Sequence, residues 1–271
     1  MKPGVWRAAM FAALCLAASH GWGHDSWLSP ARGASPPGQV TLELATGNRY
    51  PLQEFSQSAA SVAQARCTDG AAATPLRPMT QQPKWLELAA TVREAGRPAL
   101  SCWAELGLAE IEIPPRLVQV YFADIRTPAA NRQAWAALQE RGLPWRETYR
   151  KYARIELAQG ADVPPARLAA ARRPAGLDLE IVVLGDQPIA VGRPLAFQVL
   201  RDGQPLAGFP VQLVSERSPL GVWRETDAQG MLHHTLPFAG GWLLRGTDLR
   251  PSAQRADTWD SRFVTLAIEA R

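Results

Sequence analysis

Histidine is scarce in this chain, so its positions carry weight. It occurs at 20, 24, 233 and 234 among 271 residues. His24 follows Gly21-Trp22-Gly23, a small-residue stretch of the kind at which a secretory leader is cut. A chain beginning at His24 has an α-amine and an imidazole Nδ1 on one residue, and the two nitrogens can close a chelate ring on a divalent ion. Nitrogen donors suit the upper end of the first-row series, so Ni, Co or Cu is the class of metal implied. An α-amine titrates at roughly pH 7.7–8.0, and a metal can displace its proton near neutrality. Asp25 adds a carboxylate. The plainer alternative makes His24 the first residue of a strand. His233 and His234 fall in an expected strand, where neighbours face opposite ways, so at most one of them can join a site with His24.

Other chemistry finds little support. No G-x-S-x-G, H-E-x-x-H, C-x-x-C, phosphate-binding or dinucleotide-binding fingerprint occurs. No histidine stands in a setting that marks a triad base. Carboxylate pairs such as Glu110/Glu112 and Asp257/Asp260 read as solvated strand or turn positions. The expectation is a non-enzymatic protein. Of the ten Trp, the eight after the expected leader offer a sugar-stacking face as an alternative, although Trp103, Trp223 and Trp242 sit inside strand patterns and read as core.

Residues 1–23 have the parts of a secretory signal: Lys2 and Arg7, the apolar run Ala8 to Ala18, and a small-residue exit. Cleavage is expected between Gly23 and His24, with Ser19-His20 as the competing site. Cys15 falls in the removed segment, and Leu14 before it is not the small residue that lipid attachment needs. No stretch reaches the ~18 apolar residues of a membrane span. Periplasmic export follows, with no transmembrane segment after processing. Loss of Lys2 and Arg7 brings the 29 basic residues close to the 25 acidic ones. No basic stripe with interleaved aromatics appears, so nucleic acid is not an expected partner. Cys67 and Cys102 then remain alone in an oxidising compartment, where a disulfide is the simplest reading and a metal site the other one.

These residues need elements to hold them. Pro and Gly are plentiful, with 23 and 21, and spread along the chain, which suggests many turns and a β-rich fold. Gln39 to Leu44 alternates as a half-buried strand, with further strand candidates at Trp85 to Leu88 and Leu100 to Leu106. Ser56 to Ala65 fits helix or loop. Pro114-Pro115 opens an expected short helix through Ile125. Residues 131–152 read as helical, broken by Gly142-Leu143-Pro144, with Ala153 to Leu157 running on as strand. Residues 159–176 form the best boundary, and Arg167 to Arg173 reads as a solvated spacer. Short strands then recur: Leu179 to Leu184, Leu195 to Leu200, Pro210 to Val214, Val222 to Glu225, Met231 to Leu236, Trp242 to Arg245 and Phe263 to Ile268. That spacing marks a sandwich of immunoglobulin or transthyretin type.

His24-Asp25-Ser26-Trp27-Leu28 and Trp145-Arg146-Glu147-Thr148-Tyr149-Arg150-Lys151-Tyr152-Ala153 resemble motifs of a family of uncharacterised Gram-negative periplasmic proteins, a domain of unknown function. So do residues 197–208, 226–230, 241–250 and 259–266. By distant similarity, members of that family are described as a nickel-uptake substrate-specific region. The resemblance covers essentially the whole mature chain and implies a transthyretin-like C-terminal domain and a metal-related role. Where many members carry a His after the W-L-L-R stretch, this chain has Thr247-Asp248, and Asp248 can offer an oxygen ligand instead.

The expected layout is mainly β, with two sandwich-like domains joined by a short helical segment. Residues 1–23 are the signal, 24–128 a β-rich domain, 129–176 helix and linker, and 177–271 the transthyretin- or immunoglobulin-like sandwich. The expected function is binding or handling of a transition metal through His24, with Asp25, His233, His234 and Asp248 as weaker ligands. The alternative is a cell-envelope module whose sandwich binds a protein or glycan.

Overall fold

The structure, a computed structural model, describes residues 24–33, 35–36, 38–92, 99–158 and 163–271. The expected leader and its cleavage site lie outside the described residues, as do 159–162 of the boundary segment. The chain runs through β1 (Asp25–Pro30), β2 (Gln39–Gly47), β3 (Phe55–Ser56), β4 (Val62–Thr68) and β5 (Ala73–Pro75). It continues through β6 (Arg77–Gln81), β7 (Trp85–Thr91), β8 (Ala99–Leu106) and β9 (Ala109–Ile113). Helices α1 (Pro115–Asp124) and α2 (Ala129–Glu140) follow, then β10 (Trp145–Ala158) and α3 (Pro165–Ala171). The remainder is strand: β11 (Leu179–Val183), β12 (Pro194–Arg201), β13 (Gln204–Pro205), β14 (Pro210–Ser215) and β15 (Ser218–Glu225). Last come β16 (Met231–Thr235), β17 (Gly240–Pro251) and β18 (Trp259–Ala270). The fold is mainly β, as the sequence implies.

Among the described residues the strands form three sheets. The largest has nine strands in the order β15-β14-β17-β18-β10-β8-β4-β5, with β9 also on β10. It takes strands from both sides of the 159–176 segment, joined where β10 runs parallel to β18 from Glu147/Trp259 to Ile155/Ala267. A second sheet is β1-β2-β7-β6 with β3 on β2, and a third is β11-β12-β13 with β16 on β12.

Strand alternation decides what each face of the large sheet covers. Trp103, Tyr152, Trp242, Leu244, Val264, Leu266 and Ile268 point one way and pack on Leu179, Ile181, Phe197 and Val199 of the third sheet. Their neighbours Ala104, Ala153, Ile155, Leu243 and Ala267 point the other way, onto Leu42, Leu44 and Leu88 of the second sheet. Further along that same face, Trp145, Leu249, Trp259 and Phe263 pack against Val118, Tyr121 and Phe122 of α1 and Trp135 of α2. The rings of Trp145 and Trp259 stack at 4.6 Å. So one face of the sheet carries two apolar cores, and a polar strip separates them.

Two local expectations change. Residues 145–152 are strand, not helix. Trp145 and Tyr149 stand four apart, a spacing that satisfies one helical turn and also two full strand repeats, so the aromatics alone could not decide. Gly142, at φ 69°, ends α2 in a conformation natural to glycine. The strand then finds partners on both edges, which a helix there would forfeit. The expected spacer at Arg167 to Arg173 overlaps α3, whose Leu168 and Ala171 are buried. Arg172 is buried too and donates to the Gly185 and Gln187 carbonyls at 2.9 and 2.8 Å, so this arginine is a structural strap. Ser56 to Ala65 resolves into a short 3-10 turn, Ala59–Ser61, and the start of β4. The helix opened by Pro114-Pro115 forms, since proline in a first turn has no bond to lose. No helix among the described residues is long and apolar enough to cross a membrane.

Cys67 and Cys102 are disulfide-bonded. They face each other across β4 and β8 and are buried in the core shared with the second sheet. The bridge closes a segment of 35 residues that includes β5, β6 and β7. Replacing both cysteines by alanine should lower unfolding stability by roughly 2–4 kcal/mol, read from urea denaturation of oxidised wild-type protein against the double variant. An unchanged midpoint would show that the surrounding sheet holds this loop without the bridge.

Candidate functional site

The polar strip between the two apolar cores is the candidate site. On β10 the residues facing it follow the alternation Trp145, Glu147, Tyr149, Lys151, Ala153, so the two charged groups lie between the aromatic end and the aliphatic end. Strands β17 and β18 contribute Arg245, Ser261 and Thr265 at the matching level of the sheet.

Glu147 is fully enclosed. Its Oε1 accepts from the Tyr121 hydroxyl (3.0 Å) and, over a very short contact, from the Ser261 hydroxyl, while Oε2 accepts from Trp145 Nε1 (2.9 Å). Burial raises the Glu147 pKa above the usual carboxylate range, and the Ser261, Tyr121 and Trp145 donors and the Lys151 charge pull it back. Lys151 Nζ lies over the rings of Tyr149 and Phe263, at 5.4 and 5.5 Å. It donates to the main-chain carbonyl of His24 at 2.7 Å. Burial pushes its amine down to about 8, against the opposing pull of Asp25 and Glu147. A small pocket of about 10 Å³, roughly the size of one water, adjoins both groups and is lined by Ile111, Ile113, Tyr121, Tyr149 and Phe263.

His24 sits where the strip meets β1. The ladder between β1 and β2 starts at Asp25, paired with Gly47, so His24 lies just before it. Its ring stacks on Phe55 at a centroid distance of 5.2 Å. Gly47 makes that approach possible: a Cβ there would lie 2.5 Å from the Leu52 carbonyl oxygen, blocking the return of the chain toward Phe55. His24 is 6% exposed, and its Nδ1 is buried with no hydrogen-bond partner. Burial and then the Lys151 charge lower its pKa, with Glu54, Asp25 and Asp124 opposing, which favours the neutral, metal-competent imidazole. Asp25 is already engaged. Its Oδ2 accepts from Arg245 Nη1 at 2.6 Å, and Arg245 also reaches Asp124 (3.1 Å) and Gln212 (2.7 Å). Burial raises the Asp25 pKa, and Arg245 counters it.

The other expected ligands stand elsewhere. Arg245 and Asp248 are three apart on β17 and face opposite sides of the sheet, which puts Asp248 away from Asp25. Asp248 pairs with Arg201 and Arg250. His233 and His234 lie on β16 in the third sheet, opposite Ala196 and Leu195. His233 is exposed, while His234 is half-buried near Trp242 and 3.4 Å from Arg224 Nη2. Only His24 and Asp25 are together. Among the described residues no group of three or more His, Cys, Asp or Glu side chains could hold a metal ion. His24 Nδ1 and His234 Nε2 are both buried without a hydrogen-bond partner, and of the two only His24 has another expected ligand, Asp25, beside it.

Among the described residues the Trp side chains form no exposed plate. Trp27, Trp103, Trp135, Trp145, Trp242 and Trp259 are buried, and Trp85 and Trp223 are half-buried beneath arginines, Arg32 and Arg126 respectively.

Sequence reasoning passed over Glu147, Lys151, Tyr121, Ser261 and Arg245. One signal was available. The chain has 29 Lys and Arg residues, yet lysine occurs only at 2, 84 and 151. Lysine at 151, in the middle of a strand otherwise supplied with arginine, marks a place where a compact ammonium is needed and a guanidinium fork does not fit.

Fold and site together define a mainly β protein whose first described residues are docked onto a buried charge strip in its central sheet. The chain belongs to the family described as Domain of unknown function (DUF4198), whose model matches residues 21–247. No curated protein matches it. Among solved structures, native alpha-2-macroglobulin from Escherichia coli, spanning domains MG0-NIE-MG1, is similar at 13% identity and a TM-score of 0.21, covering 80% of this chain and 93% of that one.

The depressed Lys151 pKa has a stability consequence. Above about 8 the folded protein sheds this proton, whereas the unfolded chain holds it up to the ordinary lysine value of 10.5. Between those limits the unfolded state binds more protons, so the Lys151 contribution to stability rises with pH and is lost as pH falls through 8. The stability of wild type relative to Lys151→Met should therefore increase from pH 7.5 to pH 10, measured by urea unfolding. A pH-independent difference would show that the amine titrates normally in the fold.

Proposed function

We infer that the processed chain begins at His24 and is an exported, periplasmic, non-enzymatic protein that binds a divalent transition metal, nickel, cobalt or copper, through the α-amine and Nδ1 of that residue. The observation that carries this reading is the buried His24 Nδ1 without a partner. A buried polar atom left unpaired costs about 1–3 kcal/mol, and a bound ion would use it. The carboxylates of Glu54, Asp25 and Asp124 attract a cation to the neutral imidazole, and the Lys151 ammonium opposes them. Asp25, tied to Arg245, acts through its field; His233, His234 and Asp248 take no part. The resemblance to a family of uncharacterised proteins, described by distant similarity as a nickel-uptake substrate-specific region and implying a transthyretin-like C-terminal domain, agrees with this role.

N-terminal sequencing of exported protein should begin at His24. Calorimetry on that protein should show Cu(II) or Ni(II) binding that weakens at least about tenfold, or 1.4 kcal/mol, in His24→Ala or when one extra residue precedes His24. His233→Ala and His234→Ala should leave binding unchanged. If native and extended termini bind equally, or neither binds, the metal reading fails. The cell-envelope module then takes its place, with the outer strand β15, whose Leu220 is 81% exposed, as the edge that meets a protein.

A further inference from the structure

The metal reading requires both nitrogens of His24 to be held in place, yet His24 lies outside the β1 ladder. Terminal residues without ladder bonds are ordinarily frayed. Among the described residues two contacts hold this one. Phe55 covers the ring, and Lys151, distant by 127 residues in sequence, takes the main-chain carbonyl at 2.7 Å. The lysine is itself immobilised. It is 6% exposed, lies over Tyr149 and Phe263, and has Asp25 and Glu147 close enough to offset its charge. Glu147 in turn is held by Tyr121, Ser261 and Trp145. The carbonyl is attached to the same Cα that bears the amine and the imidazole, so fixing it restricts where both donors can go.

We propose that Lys151 is the positioning residue of the His24 site: its ammonium, braced by the Glu147 cluster, grips the His24 carbonyl and pre-places the amine and Nδ1 for a divalent cation. This rests on the reading of His24 as the ligand. The arrangement resembles the support that second-layer hydrogen bonds give to first-layer ligands, here acting through the main chain of the ligand residue. Pre-organisation of this kind strengthens binding by lowering the ordering cost at the moment of association.

The chain's own composition makes a direct test possible. Processed protein labelled with ¹⁵N at lysine should give two side-chain signals, from Lys84, which is exposed, and Lys151. Lys151 Nζ protons should exchange with solvent markedly more slowly than those of Lys84; equal exchange would overturn the proposal without any substitution. In metal-free protein, Lys151→Met should raise the mobility of the Asp25 amide in ¹⁵N relaxation while leaving β10 ordered. With Cu(II) or Ni(II) added, the same variant should bind roughly tenfold more weakly, and Lys151→Arg, which keeps a donor, should recover part of the loss. Tight binding by wild type and Lys151→Met alike would overturn the proposal. If wild type binds no metal, the ligand reading fails on its own, and the exchange and relaxation measurements alone decide whether Lys151 positions His24.

Discussion

Strand β10 is paired along both edges and buried on both faces, and this places strict demands on its sequence. Its parallel pairing with β18 joins the two halves of the chain into one sheet, and its antiparallel pairings with β8 and β9 extend that sheet toward the disulfide. A strand so enclosed is usually apolar throughout. This one carries Glu147, Lys151 and Arg154 at 3%, 6% and 1% exposure. Each charge therefore needs its own compensation, and the surrounding elements are arranged to supply it.

The compensation is different on the two faces. Arg154 faces the third sheet, where it meets Glu156 and Glu180 and donates to the Arg173 carbonyl, an arrangement that ties α3 and the start of the C-terminal strands to the centre. Glu147 and Lys151 face the strip between the helices and the second sheet, and their partners come from α1, β18 and the residue before β1. Buried ion pairs of this sort are weak sources of stability, because desolvation offsets most of the attraction. Their effect is geometric. A single ammonium with a single carbonyl acceptor fixes the position of the residue before β1.

The same strip accounts for the separation of donors. Asp25 is held by Arg245 and cannot also serve as a free ligand, and the alternation of β17 turns Asp248 to the far side. The imidazole of His24 keeps an uncommitted nitrogen in a setting that disfavours its protonation.

Much of this protein was legible in the sequence. Alternation and short apolar runs between turns located most strands, including those after residue 177, and several of them, such as β8 and β11, are buried on both faces. Two lone cysteines in a chain with a leader-like start implied a bridge, and the structure pairs them. The Pro-Pro start of α1 was readable because proline's fixed φ acts locally. What only the tertiary structure decided was anything that rests on partners distant in sequence. Trp145 and Tyr149 satisfied helix and strand spacing equally, and the edges of β8, β9 and β18 settled the matter. Arg172 looked solvated until the carbonyls of 185 and 187 met it. Lys151 and Glu147 stood in the sequence only as members of a motif, and apart from the scarcity of lysine nothing local marks which residues of a strand will be enclosed. Hydrophobic periodicity is a property of neighbouring residues; the meeting of residue 24 with residue 151 depends on sheet register, which the whole chain sets.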